Sequence, residues 1–205
     1  CEDILSKQDY DRKVAAMGAD IAAANYQQTP IDIKGKLYGE FKTYTFDELP
    51  TAGRIKRWAY VDTADTGADY LCSIAFIENE GLAYVTDVVY TQEDMTVTEK
   101  SVPDQLNRND TDEAIIEANN GGKGFARVVR QKVDRTIVRD FHQSKNKASR
   151  IYSNSARVNQ IVIMPQNWRQ LWPDFFDAIM KYQRAGKNAH DDAPDALTGV
   201  VETMD

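Results

Sequence analysis

The chain has 205 residues, 42% of them hydrophobic and 28% charged, with a net charge of −7. That length and composition suit one sizeable core plus an appendage, and they exclude a disordered or fibrous protein. The longest apolar runs are only a few residues, so no membrane-spanning helix is expected, and the first residues show no apolar stretch of a secretory signal. Two cysteines, Cys1 and Cys72, point to a reducing compartment and not to a disulfide scaffold. The acidic balance argues against a protein that coats nucleic acid, but it leaves room for one that grips it through a local patch.

Residues 3–28 place Ile4, Val14, Met17 and Ile21 at rough helical spacing, and Pro30 ends that helix. Residues 31–53 interleave Gly35, Gly39, Pro50 and Gly53 with Tyr38, Phe41, Tyr44 and Phe46, the pattern of an irregular connector that docks on something. The expected division is therefore an N-terminal helix and connector over 1–50 and a main domain over 51–205.

Three apolar runs follow at 57–62, 70–78 and 82–90. Asn79-Glu80-Gly81 supplies a hairpin signal, so the three form an antiparallel meander. Residues 94–108 read as a helix and Ala114-Ile115-Ile116 as a short strand. A helix from Phe125 to Lys132 and a strand over 135–138 complete a β-α-β alternation that implies parallel pairing. Residues 142–157 are polar and basic. Residues 161–163 are a further strand, Trp168–Tyr182 an amphipathic helix with Pro173 in its first turn, and Asp191, Asp192 and Pro194 open a last helix. The fold class is thus α/β: a mixed sheet, meander plus parallel strands, flanked by helices.

Four acids share one context. Asp62 ends the first strand of the main domain, Glu117 ends the fourth, and Asp192 and Asp195 lie three apart at the start of the last helix. If the first and fourth strands are neighbours, all meet at one rim of the sheet. Hard oxygen ligands of this kind suit Mg²⁺ or Mn²⁺, and two such ions about 3.5–4 Å apart can hold both the attacking and the leaving oxygen of a phosphodiester. Between residues 121 and 150 basic residues far outnumber Asp134 and Asp140, which provides the local positive charge that a phosphate backbone needs. Lys145, Lys147 and Arg150, in the polar stretch, are the chosen phosphate contacts, with Lys123 beside them. Gly121-Gly122-Lys123-Gly124 lacks P-loop spacing, and two histidines without a nucleophile elbow give no hydrolase triad.

Val61-Asp62-Thr63-Ala64 with Gly67-Ala68-Asp69, Ile115-Ile116-Glu117-Ala118-Asn119, Asn146-Lys147-Ala148-Ser149-Arg150-Ile151 and His190-Asp191-Asp192-Ala193-Pro194-Asp195-Ala196-Leu197 together resemble the RNase H-like nuclease domain at the C-terminus of tailed-bacteriophage terminase large subunits. Asn25 to Pro30 and Gly35 are similar to that family's join between ATPase and nuclease domains. The resemblance implies a metal-dependent endonuclease that cuts concatemeric viral DNA during genome packaging. Asp62, Glu117 and Asp192 or Asp195 would bind two Mg²⁺ or Mn²⁺ ions, with Asp192 ranked just ahead of Asp195. Asp65 and Asp191 would be supporting acids, and His190 a structural or exposed residue. It implies as partners double-stranded DNA, an ATPase domain of the same full-length protein, the portal and the small terminase subunit, all in the cytoplasm of the bacterial host and none in a membrane. The alternatives are another RNase H-like nuclease, resolving junctions or cutting RNA, and a DNA-gripping module whose acids serve structure.

Overall fold

The computed structural model describes residues 35–63, 69–119, 122–185 and 188–205. The helix expected over 3–28 lies outside these residues. Seven strands form one sheet: β1 (Lys42–Tyr44), β2 (Lys56–Asp62), β3 (Leu71–Asn79), β4 (Leu82–Thr91), β5 (Glu113–Glu117), β6 (Ile137–Phe141) and β7 (Val162–Pro165). Their order across the sheet is β1-β7-β4-β3-β2-β5-β6. The meander is β2-β3-β4, antiparallel throughout, while β2–β5, β5–β6, β4–β7 and β1–β7 pair in parallel. The mixed α/β architecture expected from the sequence is therefore the observed one.

The β3–β4 connection shows how local chemistry sets this register. Glu80 and Gly81 both have positive φ, 51° and 76°, which is the backbone of a type I′ turn and matches the right-handed twist of the strands it joins. Asn79 consequently pairs with Leu82, and Cys72 ends up opposite Tyr90. One irregularity between Ala75 and Phe76 leaves Thr86 outside the pairing, and its hydroxyl hydrogen-bonds Asn109 on the next helix, 2.9 Å away.

Helices cover both faces. α1 (Met95–Arg108) and α2 (Gly122–Lys132) bury Val102, Leu106, Phe125, Ala126 and Val129 against Ala59, Val61, Ala114 and Ile116. On the other face lie α3 (Lys147–Ile161), the short α4 (Trp168–Leu171), α5 (Pro173–Met180) and α6 (Asp192–Thr203), packed on Tyr60, Cys72, Ile74 and Phe76. α6 is buried from Asp192 to Val201, so it runs through the core of this layer and not along its surface. No helix among the described residues is long and apolar enough to cross a membrane.

Two elements depart from the sequence reading. The single helix expected over 168–182 is broken at Trp172 (φ −136°, ψ 69°), because the residue before a proline is pushed out of the helical region. Leu171, the last residue of α4, is half exposed. The polar stretch 142–157, given no secondary structure, contains most of α3. The connector docks on this same core. Leu37, Tyr38 and Phe41 are buried in it, β1 pairs with β7, and the Leu37 N–H donates to the Tyr182 carbonyl at 2.9 Å.

Candidate metal centre

Parallel pairing of β2 with β5 sets Asp62 directly beside Glu117, at the end of both strands. Strand alternation turns both side chains toward the α3/α6 face, together with Tyr60. Across this rim lies the first turn of α6, where Asp195 follows Asp192 by nearly one turn and its N–H donates to the Asp191 carbonyl at 2.9 Å. Carboxylate oxygens of Asp62, Glu117 and Asp195 all come within 4.8 Å of one another, and all three residues are buried. Asp192 stands next to this trio without joining it. Its Oδ2 accepts the Tyr70 N–H at 3.1 Å and its Oδ1 meets Lys147 Nζ at 3.0 Å. The structure thus gathers Asp195, and not Asp192, with Asp62 and Glu117.

Two cations from α3 hold the acids together. Lys147 Nζ lies 3.3 Å from Asp62, 3.2 Å from Asp191, 3.0 Å from Asp192 and 3.7 Å from Asp195. Arg150 is deeper, its side chain 1% exposed. It reaches Asp195 Oδ1 at 3.2 Å, Glu117 Oε2 at 3.7 Å and Glu202 Oε2 at 3.1 Å. The expectation that Arg150 grips DNA phosphate is corrected here: its guanidinium faces inward and is occupied by carboxylates. Lys147 is about one-third exposed and stands at the mouth of the cluster.

The charges perturb one another. Burial pushes the Asp62 carboxyl well above the usual range against the pull of Lys147, and Asp195, Glu117 and Asp192 push it further the same way. Burial likewise raises Asp195 to about 7, although Arg150 and Lys147 draw it down. Burial alone would lower Lys147, but the surrounding aspartates outweigh it and its pKa is raised. Asp62 Oδ2 and Asp195 Oδ1 are buried without a well-formed hydrogen bond, although Lys147 and Arg150 lie at ion-pair distance. Buried polar atoms normally find partners. Two inward-facing carboxylate oxygens without one, in an all-oxygen donor set crowded with like charge, are the environment a hard divalent cation completes. The residues present fit Mg²⁺ or Mn²⁺.

The other expected residues fall in three places. Asp65 lies outside the described residues. Asp191 is partly exposed beside Lys147, and His190 is exposed, its ring edge-on to Tyr70 at 5.0 Å. Lys123 is exposed and makes no ion pair among the described residues, and Lys145 is 73% exposed, with Nζ 3.8 Å from Glu202. Part of the basic band is engaged in ion pairs at the surface: Arg130 pairs with Asp140, Arg135 with Asp112 and Arg139 with Glu113. Sequence reasoning missed Tyr60, whose hydroxyl donates to Glu117 Oε2 at 2.9 Å, and Asn119, whose amide donates to Oε1 at 2.8 Å. Tyr60 was findable, since the strand period puts it on the same face as Asp62.

The sheet order, the helices on both faces and the acidic rim define an RNase H-like α/β domain. Its fold is that of viral terminase nuclease domains. It superposes on the large terminase of a thermophilic bacteriophage with a TM-score of 0.62 at 15% identity, over 98% of this chain and 52% of that one. The human cytomegalovirus terminase nuclease domain, Mn-soaked and inhibitor-bound, gives a TM-score of 0.60 at 15% identity, over 82% of this chain and 95% of that one. The nuclease domain of the large terminase subunit gp2 of bacterial virus Sf6, with manganese and beta-thujaplicinol, gives 0.52 at 12% identity, over 71% and 87%. The chain spans about half the length of the phage large terminase it matches. No family model and no curated protein matches it in sequence.

Proposed function

We propose that this chain is a divalent-metal-dependent DNA endonuclease domain that cuts concatemeric viral DNA during genome packaging. The observation that carries the reading is the convergence of Asp62, Glu117 and Asp195 at one sheet rim, with two of their buried oxygens lacking a well-formed hydrogen bond. The shared fold supports it, as does the manganese in the cytomegalovirus and Sf6 nuclease domains.

Asp62, Glu117 and Asp195 hold the cations, Mg²⁺ or Mn²⁺ and two in number, and Asp192 stands beside them, fixed by the Tyr70 backbone. When bound, such ions activate water and stabilise the charge developing on the departing 3′ oxygen. The protein's part is positional. Arg150 and Lys147 keep the acids gathered against their mutual repulsion, and Lys147 at the mouth meets the incoming phosphate. Lys123 and Lys145, both exposed, contact the DNA backbone, which gives little sequence preference because backbone contacts carry no base information. As partners the reading takes double-stranded DNA, an ATPase domain of a longer protein, the portal and the small terminase subunit, in the host cytoplasm.

Supercoiled plasmid incubated with Mn²⁺ tests this. The wild type nicks and linearises it, and Asp62→Asn loses activity by more than about 100-fold, beyond what loss of a merely supporting group costs. A folded Asp62→Asn protein as active as wild type overturns the enzyme reading. DNA binding with no cleavage by the wild type favours the gripping module instead.

A further inference from the structure

Tyr60 lies two residues before Asp62 on β2 and is 2% exposed. Its ring is pressed against α6 at Gly199, one turn beyond Asp195. A Cβ at residue 199 would stand 2.1 Å from Cε1 and 2.2 Å from Cζ of Tyr60, an overlap that a shift of the ring or of α6 must relieve. Phe141 of β6 flanks the ring, with centroids 6.2 Å apart. So placed, the hydroxyl donates to Glu117 Oε2 at 2.9 Å and accepts from Arg150 Nη2 at 3.3 Å. The other oxygen of the same carboxylate accepts from Asn119 at 2.8 Å. Each Glu117 oxygen therefore has one donor that fixes the carboxylate plane, and each keeps a further lone pair.

We infer that Tyr60 is a positioning residue for the metal centre and that Gly199 is the position that admits it: the buried hydroxyl holds the Glu117 carboxylate in the orientation in which it faces Asp62 and Asp195. This rests on the reading of those acids as cation ligands. It goes beyond that reading by assigning ligand orientation to a helix-strand contact that contains no ligand. Groups that orient metal ligands typically change metal affinity or activity by about 10- to 100-fold when removed.

Tyr60→Phe isolates the hydroxyl, because the ring and its packing on Gly199 remain. Mn²⁺ binding is read by calorimetry, melting is read in EDTA and in Mn²⁺, and plasmid nicking is titrated against Mn²⁺. The expected result is a Mn²⁺ dissociation constant weaker by about 10-fold or more and a matching shift in the Mn²⁺ needed for half-maximal nicking, beside a modest fall of melting temperature in EDTA because Glu117 Oε2 and Arg150 Nη2 each lose a partner. Gly199→Ala gives the same shift through the displaced ring, and adding Tyr60→Phe to it costs little more, since both remove one contact. If Tyr60→Phe binds Mn²⁺ as the wild type does, the inference is overturned while the metal centre stands. If the wild type binds no better than Asp62→Asn, the metal-centre reading itself falls.

Discussion

Two buried polar clusters sit one residue apart along β2, on opposite faces of the sheet. Opposite Val61, Ser73 donates its hydroxyl to Gln105 Oε1 at 2.5 Å, and Gln105 Nε2 returns a bond to the Ser73 carbonyl at 3.2 Å. Both side chains are fully buried and each of their polar atoms has a partner, as in a polar pair inside an apolar layer. Opposite Cys72, Asp62 belongs to a cluster in which Asp62, Glu117, Asp191, Asp192 and Asp195 have, among the described residues, Lys147 and Arg150 as their cations, and two oxygens lack hydrogen bonds. The first cluster is complete without any ligand. The second is held together against its own charge, and that difference separates a structural polar contact from a cluster that could hold a cation.

The comparison predicts that the two clusters break differently. Arg150→Met should be the most damaging change, because it removes the deepest cation and leaves Glu117, Asp195 and Glu202 facing one another. Breaking a buried ion pair costs about 3–5 kcal/mol, which for a domain of this size lowers Tm by roughly 6–20 °C. Melting in EDTA measures the loss, and Mn²⁺ should restore part of it by supplying the missing positive charge. An unchanged melting temperature would show that Arg150 is not holding the cluster.

That role of Arg150 was invisible in the sequence for the same reason that α3 was. The helix turns Ile151 and Val158 into the core, but the rest of its buried face is Arg150 and Ser155. A helix that packs against carboxylates shows no apolar period, so hydrophobic patterning passes over it. Read as helical, the spacing of Lys147 and Arg150 would have placed both cations on one face. Asp62 and Glu117 were legible because each closes a β-branched run at a turn, and α6 because Asp191, Asp192 and Pro194 announce its start. The choice between Asp192 and Asp195 was not legible, since it depends on the Tyr70 N–H, brought to Asp192 from 122 residues away in sequence. The break at Trp172 was readable from Pro173.

The clusters also differ in what pH does to them. Asp195 is raised to about 7 in the fold and returns to about 3.9 on unfolding. A group raised in this way contributes stability that is fully present below its unfolded value and is lost as pH rises through its folded one. Asp62, also raised, acts in the same direction, and Lys147 stays charged throughout this range. The metal-free protein should therefore melt lower at pH 8 than at pH 5, by about 5 °C or more. On the other face Asp94 has the opposite sign. Hydrogen bonds from the Thr96 hydroxyl and from the Thr96 and Val97 amides hold its pKa down, so its contribution is present above its usual pKa and is lost on acidification. Mn²⁺ should abolish the alkaline loss, because ligand binding stabilises the folded state and favours the ionised acids. A melting temperature that rises from pH 5 to pH 8 in EDTA would contradict the buried like-charge picture.

The smallest expected effect belongs to the completed pair. Gln105→Leu keeps most of the side-chain volume at the contact between α1 and β3 but leaves the Ser73 hydroxyl without its acceptor, at a cost of about 1–3 kcal/mol. Ser73→Ala added to it should recover part of that cost, because the stranded hydroxyl is gone, whereas the Ser73 carbonyl still lacks its donor. Neither change touches Glu117, Asp62 or Asp195, so the Mn²⁺ dependence of plasmid nicking should be that of the wild type. The contrast with Tyr60→Phe is then direct: both variants strand a buried polar atom, but only Tyr60→Phe moves the metal requirement. A Gln105→Leu protein that needs more Mn²⁺ would mean that the two faces of the sheet are coupled through Val61 and Asp62, and that the separation drawn between the clusters is too sharp.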